Sequence, residues 1–198
     1  MTDGKGETVY FSDTLIIFTS NLGMYREERD PFGNVTKKPT VFYGDDGCNE
    51  KDPDVAAKKY DEYAGRIMNS INEFFTTKIE RPELKNRIGE NFIVFDYISY
   101  ASAAKIAEKQ VNAIIDNLRR QKNIRLTLSS EAGKRFMDEI VKLENISQGG
   151  RGVGNIVENM ILRPLAVHMA EKKMWNGGSI NIKNFACSKG NWSLVCDG

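Results

Sequence analysis

The chain has 198 residues, of which 40% are hydrophobic and 28% charged, and its 28 basic and 27 acidic residues leave a net charge of +1. These values are typical of a soluble globular protein with one domain, or with one large and one small unit, and they predict neither a nucleic-acid interface nor a membrane span. The polar N-terminus lacks the apolar core of a signal peptide, and the three cysteines form no CxxC pair. We therefore expect a cytoplasmic protein with reduced thiols.

The first part of the chain is predicted to contain buried strands. Residues 8–11 and 15–19 are apolar or β-branched, and the second run ends near the polar Asn21. Residues 24–53 are polar and interrupted by proline and glycine, which indicates a long loop. We interpret this loop as an insertion with one short strand at residues 40–43.

A helical pattern follows the loop. Apolar residues recur at helical spacing over residues 54–75, which predicts an amphipathic helix. Pro82 suits the first turn of a short helix, because its missing amide proton is not needed there. The run 92–98 is apolar and reads as a further strand suited to burial.

The second part of the chain, from about Tyr100, reads as a compact unit of helix, strand, helix, helix and strand. Basic residues close the first helix, and Ser129 is placed to cap the second. The glycine-rich run "SQGGRGVGN" is predicted to be a turn before the third helix, which Pro164 is expected to kink. The run "SINIKNF" alternates as a strand does, and the tail from Cys187 has no assignment.

Several familiar motifs fail on inspection. The run "GGRGVGN" is not a dinucleotide fingerprint, since Asn155 occupies the third glycine position, and "FIVFDYI" lacks a second acid after Asp96. No GxxxxGK[ST] phosphate-binding loop occurs. His168 is the only histidine and has no ligand partners at suitable spacing, so we predict a structural histidine and no metal site.

Three polar residues remain as candidates, and each has an ordinary interpretation. Asn21 could form a turn, Arg87 in "ERPELKNRIGE" could join a surface salt bridge, and Arg151 could be a solvated loop residue. Taken one at a time, these residues do not define a function.

Taken in order, the segments that carry them form a pattern. "TDGKGETVYFSDTLIIFTSNLG", "RPELKNRIGENFIVF" and "GGRGVGN" resemble the carboxyl-terminal half of a Clp-type AAA+ unfoldase module of the ClpA and ClpB class. The resemblance covers residues 2–185. It implies an α/β fold: part of the AAA+ large subdomain at residues 1–99, then a mainly helical small lid domain with a short sheet at 100–186 and a tail at 187–198.

The resemblance also implies roles for the three residues. Asn21 would be sensor 1, facing the γ-phosphate and the attacking water, and Arg87 would be the arginine finger that acts on a neighbouring subunit's nucleotide. Arg151 would be sensor 2, which contacts phosphate in its own subunit. An amide and two permanently charged guanidinium groups suit phosphoryl transfer, which depends on positioning and charge stabilisation. The implied cofactor is ATP with Mg²⁺.

Departures from the family pattern limit what the chain is expected to do alone. The Walker A and Walker B elements of the family lie upstream of the matching region, so we expect the isolated chain to be inactive as an ATPase. Gly89 stands where the family usually has Asp, sensor 2 reads Gly-Gly-Arg instead of Gly-Ala-Arg, and the 24–53 loop is longer than in the family. Whether the chain is an enzyme is left open.

The leading hypothesis is the carboxyl-terminal, nucleotide-sensing portion of an ATP-dependent Clp-type protein unfoldase. Its implied partners are other AAA+ subunits in a homo-oligomeric, hexameric ring, protein substrates and a peptidase, with no nucleic acid or membrane. One alternative is a stand-alone split subunit or regulator that docks into rings of a full-length relative. Another is a degenerate product without a nucleotide function.

Overall fold

The structure is a computed structural model that describes residues 2, 4–8, 10 and 14–196. The chain divides into two compact units, Met1–Val41 with Arg66–Glu90 (the first unit) and Phe42–Gly65 with Asn91–Gly198 (the second unit). Each is described by itself below. Helix α1 (Pro53–Glu73) contributes residues to both units. No helix in the described ranges combines the length and apolar character that a membrane crossing needs.

A β-hairpin is the main feature of the first unit. Strand β1 (Tyr25–Arg29) pairs with the antiparallel strand β2 (Val35–Pro39). The connecting turn is fixed by Asp30, whose carboxylate accepts hydrogen bonds from the backbone amides of Phe32 at 2.9 Å and Asn34 at 2.8 Å. The prediction of an irregular loop over residues 24–53 is therefore wrong for this segment, and the short strand predicted at residues 40–43 does not form.

The helices of the first unit agree with the sequence pattern. The helix predicted over residues 54–75 is α1, which continues into a π-helical turn at Phe74–Lys78. Helix α2 (Pro82–Ile88) begins at the predicted proline and ends at Gly89, whose φ is +66°. Gly23 lies against α1, where a Cβ atom would meet the Ile67 carbonyl oxygen at 2.9 Å. A larger residue at position 23 would therefore separate this turn from the helix.

The prediction of a buried strand at residues 15–19 is wrong. These residues have no regular secondary structure, and the side chains of Leu15 and Ile17 are 87% and 76% exposed. A strand needs a neighbour to pair its backbone groups, and no described strand lies beside this run. In the predicted strand 8–11, residues 9 and 11 lie outside the described part of the chain, and Thr8 forms a single antiparallel bridge with Thr2.

The second unit contains most of the regular structure, and it follows the predicted order of helix, strand, helix, helix and strand. Two details are added to the predicted order. A short helix lies at Leu143–Ile146, and a π-helical turn at Glu158–Leu162 directly precedes the helix that contains Pro164. The elements are α3 (Tyr100–Lys122), β3 (Arg125–Leu128), α4 (Ser130–Ile140), α5 (Leu143–Ile146), α6 (Gly150–Val157), the π-helical turn Glu158–Leu162, α7 (Arg163–Glu171), β4 (Ser179–Ser188) and β5 (Asn191–Cys196).

The second unit is built around a three-stranded sheet with the strand order β3-β4-β5. β4 pairs in parallel with β3 and antiparallel with β5, so the tail left unassigned by the sequence forms an edge strand. Ser129 caps α4 as predicted, since its side-chain oxygen accepts a hydrogen bond from the amide of Ala132. Helices and sheet enclose one apolar core, whose largest fully buried members include Phe185, Ile124, Ile140, Ile146, Met160, Ile161, Ile182 and Val153.

The prediction of a buried strand at residues 92–98 is also wrong. This run is extended but unpaired, and Ile93 and Phe95 are 80% and 76% exposed. Tyrosine hydroxyls hold its backbone instead: Tyr60 donates to the carbonyl of Val94 at 2.6 Å, and Tyr63 donates to that of Phe95 at 3.0 Å. Side chains thus satisfy carbonyl groups that a sheet partner would otherwise satisfy.

Candidate functional site

Asn21 lies on the wall of a cavity in the first unit. The Asn21 side chain is exposed. The backbone carbonyl of Asn21 accepts a hydrogen bond from the backbone amide of Met24 at 3.2 Å, which closes a turn. The cavity has a volume of about 360 Å³, which is within the size range of small-ligand sites. The hairpin forms one side of it and the end of α1 with the π-helical turn forms the other. Asn21 therefore lines a space that is large enough for a small ligand.

One face of the hairpin supplies the charged wall of this cavity. Glu27 and Lys37 are directly opposite each other in the strand register, and Arg29 is next to them, opposite Val35. Lys78 reaches across from the π-helical turn and pairs with Glu27 at 2.6 Å. The hydrogen bond from Lys78 is the main reason why the pKa of Glu27 is lowered, with smaller contributions from the positive charges of Lys37 and Arg29.

The opposite face of the hairpin has a closed set of ion pairs. The Glu28 carboxylate forms salt bridges with Arg26 at 2.7 Å and with Lys38 at 2.5 Å. The hydrogen bond from Lys38 is the main cause of the lowered pKa of Glu28. By contrast, Arg29 and Lys37 form no salt bridge with any residue in the described ranges. The cations of one face are thus paired within the hairpin, whereas Arg29 and Lys37 on the cavity face have no salt-bridge partner among the described residues.

Arg87 lies in the last turn of α2. Its side chain is exposed and makes no salt bridge within the described part of the chain. It belongs to the first unit with Asn21, but it is not among the described residues that line the cavity. A permanently charged, solvent-facing guanidinium of this kind is free to contact a group on another molecule.

Arg151 belongs to the second unit, in the first turn of α6. The glycine run predicted to be a turn is already helical at Gly150, so Arg151 is a helical residue and not a loop residue. Its side chain is exposed, while Gly152 beside it is buried against α5. Amides at the start of a helix carry partial positive charge, which adds to the charge of Arg151 in attracting an anion.

The sequence reasoning missed the cationic wall of the cavity, although a signal was present. The five residues "DPFGN" between "YREER" and "VTKKP" contain the proline, glycine and asparagine that are typical of a hairpin connection. The polar composition of this stretch instead favours a loop, which is the wrong interpretation. Within a loop, nothing in the sequence marks Arg29 and Lys37 as site residues.

A second polar cluster in the second unit has a structural role. Asp46 is only 3% exposed, and its carboxylate accepts hydrogen bonds from the amides of Cys48 and Tyr97. Burial raises the pKa of Cys48 to about 11, and burial likewise raises the pKa of Tyr43 to about 12. Both groups are therefore neutral near pH 7, and the Tyr43 hydroxyl donates a hydrogen bond to the backbone carbonyl of Ile98 at 3.0 Å.

Comparison with known proteins gives a consistent result over most of the chain. Residues 99–182 match the C-terminal D2-small domain of ClpB protein. The chain is 29% identical over 180 residues to the chloroplastic chaperone protein ClpC2 of Oryza sativa subsp. japonica and 29% identical over 183 residues to chaperone protein ClpB 2 of Thermosynechococcus vestitus. It is 27% identical over 179 residues to the ClpA homolog of Porphyra purpurea, named as an ATP-binding subunit of an ATP-dependent Clp protease.

These matches cover 90%, 91% and 90% of this chain, but only 17%, 17% and 19% of the three relatives. The chain therefore spans less than a fifth of their length. The match to the small-domain family begins at residue 99, one residue before α3, and it contains Arg151.

Proposed function

We propose that this chain, whose residues 99–182 match the C-terminal D2-small domain of ClpB protein, is the nucleotide-sensing carboxyl-terminal portion of an ATP-dependent Clp-type AAA+ protein unfoldase. In the complete protein, ATP binding and hydrolysis would drive the remodelling of protein substrates by a ring of subunits. The observation that carries this proposal is the match of residues 99–182, in sequence order after the segments that contain Asn21 and Arg87.

The position of Arg151 supports a role as sensor 2. Its guanidinium is exposed at the start of α6, inside the matched domain, and the buried Gly152 fixes the helix that carries it. A phosphate placed there would meet both a permanent positive charge and the amide end of a helix. In this role Arg151 would report the nucleotide state to the lid domain.

Asn21 and Arg87 have surroundings that suit the other two roles. Asn21 is exposed and closes a turn, where a neutral amide can orient a phosphate oxygen or a water molecule. Arg87 is exposed on α2 and makes no salt bridge among the described residues, as an arginine finger acting in trans requires. The catalytic contribution of such a finger is large, on the order of 10³-fold or more in rate.

The chain is proposed to need other polypeptide for turnover. ATP with Mg²⁺ is the proposed cofactor, yet these 198 residues contain no GxxxxGK[ST] loop to hold its phosphates. Other AAA+ subunits in a hexameric ring, protein substrates and a peptidase are the proposed partners, and the cytoplasm is the proposed compartment. The chain alone is proposed to have no ATPase activity.

A chimera tests this function. The matching segment of chaperone protein ClpB 2 of Thermosynechococcus vestitus would be replaced by this chain, and ATP hydrolysis by the assembled ring would be measured. We expect the Arg87→Ala and Arg151→Ala chimeras to lose most of the ATPase activity that the unsubstituted chimera retains. The matched control is Arg120→Ala, because Arg120 is an exposed arginine of α3 whose only described salt bridge, to Asp116, spans 3.9 Å.

Two results would contradict the proposal. One is a chimera that assembles into rings but hydrolyses no ATP. The other is equal activity of the Arg87→Ala, Arg151→Ala and Arg120→Ala chimeras, since a surface arginine without a nucleotide role should change the rate little.

A second candidate function is a split subunit that docks into rings of a full-length relative. The exposed apolar side chains of Leu15 and Ile17 in the first unit and of Ile93 and Phe95 in the second unit favour it, because surfaces of this kind mark contact sites. Mixing the chain with such a relative and measuring ATPase activity would separate the two candidates. Stimulation by the chain, and none by its Arg87→Ala variant, would support docking in trans.

A further inference from the structure

The cavity of the first unit has features that a nucleotide sensor does not require. Its lining includes four cationic residues, Arg26, Arg29, Lys37 and Lys78, and two acidic residues, Glu27 and Glu73. Arg26 pairs with Glu28 on the other face of the hairpin, and Lys78 pairs with Glu27. Arg29 and Lys37 are the lining cations left without a salt bridge to a described residue, so the wall carries excess positive charge.

Apolar surface lies beside these cations. Tyr25 and Val35 are 55% and 53% exposed and line the cavity together with Leu22 and Phe74. A bare inorganic anion would leave this apolar surface uncovered, and a purely apolar ligand would leave Arg29 unpaired. The chemistry of the wall therefore matches a ligand that carries both carboxylates and apolar side chains.

The hairpin itself favours a peptide as this ligand. In the described part of the chain β1 and β2 form a two-stranded sheet, so each strand has an outer edge with unpaired backbone groups. An extended peptide can add to such an edge through backbone hydrogen bonds and place alternate side chains in an adjoining cavity.

We propose that the cavity face of the hairpin binds a short acidic, partly apolar segment of a partner protein, with Arg29 and Lys37 as the groups that pair with its carboxylates. Asn21 lines the same cavity, but Arg29 and Lys37 have no part in the proposed nucleotide sensing, and peptide binding needs no nucleotide. The hairpin provides this chain with a recognition surface for acidic peptides.

The neighbouring lysines provide a matched test. Lys37 lies on the cavity face, whereas Lys38 lies on the opposite face and pairs with Glu28. A fluorescein-labelled peptide, Glu-Leu-Asp-Tyr-Glu-Leu-Asp, would be titrated with the full chain without nucleotide, and fluorescence anisotropy would report binding. Lys37→Gln and Arg29→Gln are each expected to weaken binding about two- to fivefold, since a single solvated ion pair has about this effect. Lys38→Gln removes the same charge and should leave binding unchanged.

Other arms of the same titration settle the ligand class. Binding should weaken as salt is added, and a peptide with lysine in place of each acidic residue should not bind. The proposal is overturned by the absence of binding up to about 1 mM peptide, by equal effects of Lys37→Gln and Lys38→Gln, or by equal binding of the lysine peptide. Displacement of the peptide by ATP would assign the cavity to a polyphosphate and would also overturn it. Failure of the chimera described above would leave this titration unaffected.

Discussion

Gly152 provides a quantitative test of how the helix that carries Arg151 is held. A Cβ atom at position 152 would lie 1.9 Å from the carbonyl oxygen of Asn145 and 2.9 Å from its carbonyl carbon. Both neighbours are backbone atoms, so the clash cannot be relieved by turning a side chain. Overpacking typically costs about 1–3 kcal/mol and occasionally more, and a clash with backbone atoms belongs at the upper end of that range. The better helix propensity of alanine offsets only about 1 kcal/mol. We expect Gly152→Ala to lower the free energy of unfolding of the second unit by about 2–3 kcal/mol.

Urea denaturation followed by tryptophan fluorescence measures this change, because both tryptophans, Trp175 and Trp192, belong to the second unit. The midpoint should fall by roughly 1–2 M for a urea dependence of about 1.5 kcal/mol per molar. Gly150→Ala is the matched control, since a Cβ atom at that position of the same helical turn meets nothing within 4 Å. An unchanged midpoint for Gly152→Ala, or an equal fall for Gly150→Ala, would refute the reasoning.

Three further predictions concern the rest of the chain. Iodoacetamide at pH 8 should alkylate the exposed Cys187 far faster than Cys48, because a pKa of about 11 leaves Cys48 about one-thousandth ionised at that pH; peptide mass spectrometry measures both rates, and equal rates would contradict the buried setting of Cys48. Tyr63→Phe should destabilise the second unit by about 1 kcal/mol in urea, since the hydroxyl bond to the Phe95 carbonyl is lost; no change would show that this bond does not hold the segment. Limited chymotrypsin digestion should cut near the exposed Phe18 and Phe95 and leave a stable fragment that begins near Tyr100; complete degradation would contradict an independently folded lid domain.

The helices of this protein could be predicted from sequence because their signals are local. The apolar spacing over residues 54–75, the proline that begins α2 and the serine that caps α4 each act within a few residues, and the structure confirms all three. The alternating pattern of "IRLTLS" also predicts strand β3. This strand forms because its partner, β4, lies in the same chain.

The two wrong strands had equally clear apolar patterns. A run such as 92–98 becomes a strand only if another strand pairs with it, and the composition of the run itself does not contain that information. In the described residues its backbone is held by tyrosine hydroxyls from α1, which no local pattern indicates. Without a paired strand beside the run, the apolar side chains of Ile93 and Phe95 are exposed.

The candidate site was only partly accessible to sequence reasoning. Asn21, Arg87 and Arg151 were selected through a family resemblance, because an isolated amide or guanidinium in a sequence has several ordinary uses. Arg29 and Lys37 could not be selected in this way, since their significance depends on the strand register that puts them on one face of the hairpin. The roles of the first three residues remain predictions.

The most direct test is the position of a bound nucleotide. The chimeric ring would be assembled with a non-hydrolysable ATP analogue and Mg²⁺, and its structure would be determined by electron cryo-microscopy. We expect the amide of Asn21 and the guanidinium of Arg151 to lie within hydrogen-bonding distance, about 3 Å, of the phosphates of one nucleotide, with Arg87 reaching the nucleotide of the neighbouring subunit. A ring in which either Asn21 or Arg151 faces away from the nucleotide would contradict the proposed nucleotide-sensing function.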